Sequence, residues 1–465
     1  MSALSRRDAL RTLSAGFGYL AFAGLCSAQD AKPSRPLALK KPHDEPKAKR
    51  VIFLCMRGGP SHVDTFDYKP RLKVDHGRAS NYGSPWCASP WGFNQHGNSG
   101  LWISELFPNI AEQSDELCLL RGMHCDQPAH AQAMLQMHTG SFQFVRPSFG
   151  AWTLYGLGTE NQNLPGFISI NPPTATGGAQ NYGNAFLPAA YQGTKFTVQD
   201  SSQRNRRIDR MRRGEANPYG INNAVNEILT KDRQREQLAL IEALNKEKLR
   251  RDHHNPFVEG TIENFELAFR MQDAVPDVMD LSSETEETLS LYGINEDPTD
   301  GFGRQCLLAR RFAESGVRFI ELGHGSWDQH SNIQTALADN CRETDKPIAG
   351  LITDLKRRDM LKDTLILWGG EFGRTPYSDS GTGRDHNHKG FTMWMAGGGV
   401  KGGYSYGSTD DHGYEAIEHK MHIHDWHTTV LHLLGLDHER LTFRHASREM
   451  RLTDVAGSVA SEIVI

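Results

Sequence analysis

Cysteine pairing is the first thing this sequence lacks. Its 465 residues contain 7 cysteines, no two of them in a CxxC spacing. So few thiols in so long a chain make no disulfide framework, and without CxxC a structural zinc knuckle is not expected. Cys55 lies inside an apolar run and reads as a buried thiol. A dominant charge is missing too: 51 Lys+Arg against 56 Asp+Glu leave a net charge of -5. That balance gives no bulk reason to expect nucleic acid or an anionic membrane as a partner. Beyond the leader, no segment is long and apolar enough to span a bilayer. There is no internal repeat.

Residues 1–28 have the form of an export leader. Ser5-Arg6-Arg7-Asp8-Ala9-Leu10 is a twin-arginine pattern, Leu13 to Leu25 is modestly apolar, and Cys26-Ser27-Ala28 offers a cleavage site. The pattern implies export of a folded protein to the periplasm or beyond. Residues 29–49, rich in Pro, Lys and Ala, read as a solvated linker. Residues 50–465 read as one folded domain, with a helical insertion over about 200–291 that includes the basic run Arg204 to Arg213.

Short apolar runs bounded by glycine suit strands buried on both faces: Arg50–Met56, Leu117–Leu120, Phe167–Ile170, Val317–Leu322, Leu365–Trp368 and Thr392–Ala396. Helical spacing fills much of the intervening chain. Helices are expected from about Ser104, over Ala129–Met137 with Gly140 as C-cap, over Gly301–Gly316, over Asn340–Arg358, and over Trp426–Leu434 with Asp425 as N-cap. Strand, helix, strand in this order predicts parallel crossovers and an α/β fold.

Several strand ends carry metal-type side chains, where an open α/β sheet places its site. Asp64 follows the first strand, Asp328 and His330 a later one, and Glu371 the Leu365 strand; Asp385 and His386 sit on the Ser/Gly-rich loop after it. Alternate residues of an extended segment share a face, so Asp328 and His330 can reach one ion. Acids gathered at one sheet edge would repel one another without a cation. Carboxylate with neutral imidazole suits Zn²⁺, Mn²⁺ or Fe²⁺ more than Ca²⁺, with one or two ions expected. About half of the 21 histidines fall within 323–445. Among them His324 and His388, with His62 near the first strand, are further candidates. His424 and His427 flank a helix start, where capping competes with ligation. Asp64 also suits a turn or helix cap.

Gly58-Gly59-Pro60-Ser61-His62-Val63-Asp64, Gly325-Ser326-Trp327-Asp328-Gln329-His330, Gly370-Glu371-Phe372-Gly373-Arg374-Thr375-Pro376 and Gly383-Arg384-Asp385-His386 together resemble the DUF1501 family, relatives of sulfatases in the alkaline-phosphatase-like superfamily. The resemblance runs from about Val51 to the C-terminus. It implies a three-layer αβα sandwich around a mostly parallel sheet. It also implies a metal-dependent hydrolase of sulfate or phosphate esters, with small-molecule or polysaccharide substrates. Asp64 and Glu371 match acids that bind metal in such proteins, and Asp328, His330 and His386 would complete the set. Sulfatases carry a Cys or Ser nucleophile nine residues before a Thr-Gly; counting back from Thr139-Gly140 gives His130. A standard sulfatase mechanism is therefore not available, and Phe372 replaces the second member of a metal-binding pair. His130 is left as nucleophile, general acid/base, or a ligand beside an attacking hydroxide, with Arg374 or Arg384 aiding the oxyanion. The alternative implied by the missing nucleophile is a non-catalytic metal-bearing protein that binds sulfated or phosphorylated polysaccharide.

Overall fold

The computed structural model describes residues 36–198, 229–252 and 256–465. The expected leader, the start of the linker and the basic run Arg204 to Arg213 lie outside them.

In chain order the main elements are strand β1 (Arg50–Met56), helix α1 (His62–Thr65), strand β2 (Leu117–His124), helices α2 (His130–Thr139) and α3 (Phe149–Leu157), and strands β3 (Phe167–Ile170) and β4 (Thr194–Phe196). Helices α4 (Lys231–Asp252), α5 (Pro256–Met279) and α6 (Asp300–Glu314) follow, then strand β5 (Phe319–His324), helix α7 (Ile333–Arg357) and strands β6 (Thr364–Gly369), β7 (Gly373–Asp379), β8 (Gly383–Asn387) and β9 (Phe391–Ala396). Strands β10 (Tyr404–Tyr406) and β11 (Met421–His422) and helix α8 (Ile423–Leu433) end the series.

The central sheet runs β10-β2-β9-β6-β1-β5-β3-β4, with β11 also on β2. Strand β1 is parallel to both β5 and β6, and only β9 in this path runs against its neighbours. The sheet is buried on both faces. Ile52, Leu54 and Met56 meet the core formed with α6 and α7, while Val51, Phe53 and Cys55 meet the core formed with α2, α3 and α8. The period of two in β1 thus divides its side chains between two helical layers. This is the three-layer αβα sandwich expected.

Several local expectations change. Leu101–Ser104 is a strand paired with Phe93–His96, and the helix expected from Ser104 begins at Pro108, where proline's missing N–H costs nothing. Helix α7 starts at Ile333, earlier than its apolar spacing suggested. Asp425 is not the N-cap of α8. His422 is, and Asp425 returns the bond from the third position as half of a capping box. Residues 36–49 do not behave as a solvated linker: Leu37 and Ala48 are buried, and their neighbours bond to the backbone of Leu157, Leu433 and Gly435. Among the described residues no helix is long and apolar enough to cross a membrane.

Candidate metal centre

The end of β1 sets the floor of the site. Gly58 has φ +115°, and a Cβ there would stand 2.6 Å from the backbone nitrogen of Asp328. Only glycine allows that approach. It brings the β1 and β5 ends together and lets Gly58 N–H donate to both oxygens of Glu371 (3.1 and 3.2 Å).

Four side chains converge above this floor. Asp328 Oδ1 lies 3.2 Å from His130 Nε2, 3.0 Å from His330 Nε2 and 3.4 Å from His386 Nε2. The Nε2 atoms of His330 and His386 are 2.9 Å apart. Each imidazole is fixed from behind through Nδ1: His130 by Glu371 (2.6 Å), His330 by Asp379 (2.7 Å), and His386 by the carbonyl of Pro128 (2.7 Å). An ionised carboxylate or a carbonyl only accepts, so each Nδ1 carries a proton and each ring turns its Nε2 inward, toward the Asp328 oxygen. Three imidazole nitrogens gathered on one carboxylate oxygen need protons or a cation among them, and Arg374, 2.5 Å from Asp328 Oδ1 and 3.5 Å from His330 Nε2, supplies positive charge from one side only. Imidazoles oriented by carboxylates and carbonyls through the far nitrogen are the usual surroundings of a metal. The donor set therefore fits Zn²⁺, Mn²⁺ or Fe²⁺.

Electrostatics point the same way. Burial opposes charge on His130, but Asp328 and Glu371 outweigh it and raise its pKa to about 9. Burial would raise Asp328, yet hydrogen bonds from His130, His386 and Arg374 hold its carboxyl far below the usual range. The Phe372 ring, where the resemblance expects a ligand, lies 4.8 Å from the His130 ring and 4.7 Å from that of His386. It is an apolar underside for both. Asp328 and His330 have side chains 44% and 40% exposed, so the cluster opens to solvent.

Other expected ligands are placed elsewhere. Asp64 is buried, and both of its oxygens are taken by Arg384 (2.7 and 3.0 Å) with Ser61 Oγ at 2.5 Å. Its charge is balanced by a guanidinium, so it is not a member of the cluster. Glu371 stands behind His130, on its Nδ1, rather than among the four converging donors. Asp385 is exposed, 3.9 Å from His330 Nδ1, and groups with Asp379 on the outer side of that ring. His62 holds Gly413 O (2.7 Å), and burial lowers its pKa. His324 is held by Glu343 (2.9 Å) and Trp327 Nε1 (3.0 Å). Neither His62, His324 nor His388 joins the cluster.

The arginines are reassigned as well. Arg374 is fully buried; it donates to the carbonyls of Gly58, Gly59 and Arg384 and to Asp328 (2.5 Å). Arg384 serves Asp64, Thr375 O and Cys87 O. All five N–H groups of Arg374 are engaged, the fifth by His330 Nε2 (3.5 Å), and the buried charge of Arg384 is matched by Asp64, so Arg374 positions Asp328. The Arg57 guanidinium, by contrast, has no hydrogen-bond or ion-pair partner among the described residues; its Nε is buried, and the side chain lies against Gly323 and Gly325. The sequence reading passed over Arg57 and Asp379. Asp379 carries no local signal, since only the β7–β8 pairing brings it to His330.

No curated protein sequence matches the chain. Solved structures of similar chain course include the PsFucS1 sulfatase from Pseudoalteromonas sp., at 12% identity and TM-score 0.34, with 90% of this chain and 71% of that one covered. Another is the alkaline phosphatase from the Antarctic bacterium TAB5, at 11% identity and TM-score 0.29, covering 79% and 94%. A third is the phosphonate monoester hydrolase SpPMH from Silicibacter pomeroyi, at 10% and 0.32, covering 89% and 78%. The family model described as "Protein of unknown function (DUF1501)" matches residues 48–464, and the chain belongs to that family.

Proposed function

We propose that this protein is a metal-dependent hydrolase of sulfate or phosphate esters, exported by the twin-arginine route and acting on small-molecule or polysaccharide esters. One observation carries the reading: three imidazole Nε2 atoms and Asp328 Oδ1 converge at a solvent-open end of the sheet. Catalytic sites of this type keep three protein ligands and one open position. Asp328, His330 and His386 would hold the ion. When bound, it supplies positive charge to the ester's anionic group and makes water a better nucleophile.

The protein's own residues do the rest. Glu371 accepts from His130 Nδ1 and is itself held by Gly58 N–H. With its pKa raised to about 9, His130 presents a protonated Nε2 to the open side as a general acid toward the leaving oxygen, and once deprotonated it can take a proton from water as a base. Arg374 fixes the Asp328 carboxylate and Phe372 keeps water from beneath the rings. Arg57 is the guanidinium left to meet the substrate's charge.

Assays of the purified protein on aryl sulfate and aryl phosphate esters, with and without Zn²⁺ or Mn²⁺, test this. Turnover is expected with metal. His130→Ala should keep its metal and lose about 10²–10⁴-fold in rate, whereas His386→Ala should lose the metal. Tight metal binding without turnover on either ester would sink the proposal. The count of four converging donors favours one other reading, a closed and non-catalytic site in a polysaccharide-binding protein. There His130→Ala sheds metal.

A further inference from the structure

A second group of metal-type side chains lies inside the sandwich, away from the open cluster. Cys55 on β1, Glu321 on β5 and His138 on α2 bring Sγ, a carboxylate oxygen and an imidazole nitrogen within 4.8 Å of one another, all three residues buried. They stand in the layer of Phe53, Met134, Met137 and Trp426, within electrostatic reach of Glu371. Strand register explains how they meet. Glu321 is opposite Phe53 and Gly323 is opposite Cys55, so β5 presents a carboxylate and then, where a side chain would stand, the close approach of Asn171 O and the Arg57 side chain. His138 comes down from the last turn of α2, and its ring lies 5.9 Å from that of Phe53.

A bare ion pair between His138 and Glu321 accounts for part of this arrangement. His138 Nε2 is 3.3 Å from Glu321 Oε2. Yet Nε2 makes no aligned hydrogen bond, although it is buried. Its Nδ1 is bonded to Met134 O (2.9 Å), which fixes a proton there and turns Nε2 to the carboxylate, where a proton or a metal ion must stand between the two. Ser169 Oγ donates to the other oxygen of Glu321 (3.3 Å) and steadies it from β3. Both the imidazole and the carboxylate are thus oriented from behind, as ligands are. The 3.3 Å separation is also the edge of a tetrahedron with ligands at about 2.0–2.1 Å, the usual zinc distance to nitrogen and oxygen.

We propose that Cys55, His138 and Glu321 form a second, enclosed metal site that takes a thiolate-preferring divalent ion, Zn²⁺ foremost. Thiolate and carboxylate together balance the ion's charge, so the assembly is neutral within that buried layer. On binding, the Cys55 proton leaves and the S–metal bond replaces S–H; no redox change is involved. Oxygen-preferring Mg²⁺ and Ca²⁺ are poor matches for a thiol and an imidazole. The inference does not depend on hydrolase activity at the open cluster.

Cobalt substitution separates the two sites, because the open cluster contains no sulfur. Protein produced in zinc-depleted, Co²⁺-supplemented medium should show thiolate-to-cobalt charge-transfer absorption in the near ultraviolet. The absorption should survive in His330→Ala/His386→Ala. It should vanish in Cys55→Ser, with the loss of one metal equivalent per chain. Should Cys55→Ser fail to fold, Glu321→Gln is the variant to use, and it should weaken or shift the same absorption. Folded, cobalt-bearing wild-type protein without that absorption overturns the proposal, as does absorption unchanged in Cys55→Ser or Glu321→Gln. Metal lost only on mutating the open cluster leaves His138 and Glu321 a plain ion pair.

Discussion

At Asp379 a single carboxylate oxygen decides which nitrogen of His330 faces a cation. Removing it frees the ring to rotate or change tautomer, so Asp379→Ala should weaken metal affinity by about 10–100-fold. Competition against a chromophoric chelator measures this, and unaltered affinity would remove Asp379 from its orienting role. The Asp64–Arg384 pair gives a second test at the same scale. Both side chains are almost fully buried, and 320 positions separate them in sequence. Removing one partner strands the other's charge in the core, so Arg384→Met should cost about 3–5 kcal/mol by urea denaturation. Asp64→Asn/Arg384→Met should recover much of that loss. The pair also shows where reading the sequence stopped short. An acid after a buried strand announces that a counter-charge must exist, and the expected counter-charge was a metal. Nothing local tells a guanidinium on a distant hairpin from an ion.

Elements were legible wherever burial imposed a pattern. The runs in β1, β3 and β6 are apolar because both faces are covered, and that requirement is written in each segment alone. Direction is not, which is why β9, which runs against both of its neighbours in the central sheet, looks like them. The hairpin of β7 and β8 escaped for another reason. Its strands read Gly-Arg-Thr-Pro-Tyr-Ser-Asp and Gly-Arg-Asp-His-Asn, with buried arginines in place of alternating apolar residues. It looked like a flexible loop, yet it sets His386 opposite Arg374. Gly383 is where this hairpin meets the loop of β5: an added Cβ would lie 2.1 Å from the backbone carbonyl of His330. Gly383→Ala should therefore push the two ligand-bearing segments apart, at a cost of about 1–3 kcal/mol. Metal titration should show weakened binding in the folded variant. Wild-type affinity there would mean that the hairpin does not set the position of His386.

For the molecule as a whole, residues 36–49 tie helices α3 and α8 together, and Lys40 is the charge held in that strap. Its ammonium donates to Tyr155 O (2.6 Å) and Tyr191 Oη (3.2 Å) and lies 4.9 Å from the centre of the Tyr155 ring. Burial lowers its pKa to about 8 from the usual 10.5, with Glu263 pulling the other way. A lysine depressed in the folded state penalises folding whenever it is charged in both states. The penalty is full below about pH 8, shrinks as the pH rises from 8 toward 10.5, and is gone above that. Each unit is worth about 1.4 kcal/mol, and partial exposure together with the lost cation–π contact reduces the net. Lys40→Met should therefore be more stable than wild type by about 1–2 kcal/mol at neutral pH, with the gain fading toward pH 10. Paired urea denaturation curves across that range decide the matter. A gain that stays constant with pH would come from packing alone, and a loss at neutral pH would mean that the tyrosine contacts outweigh the desolvation of the charge.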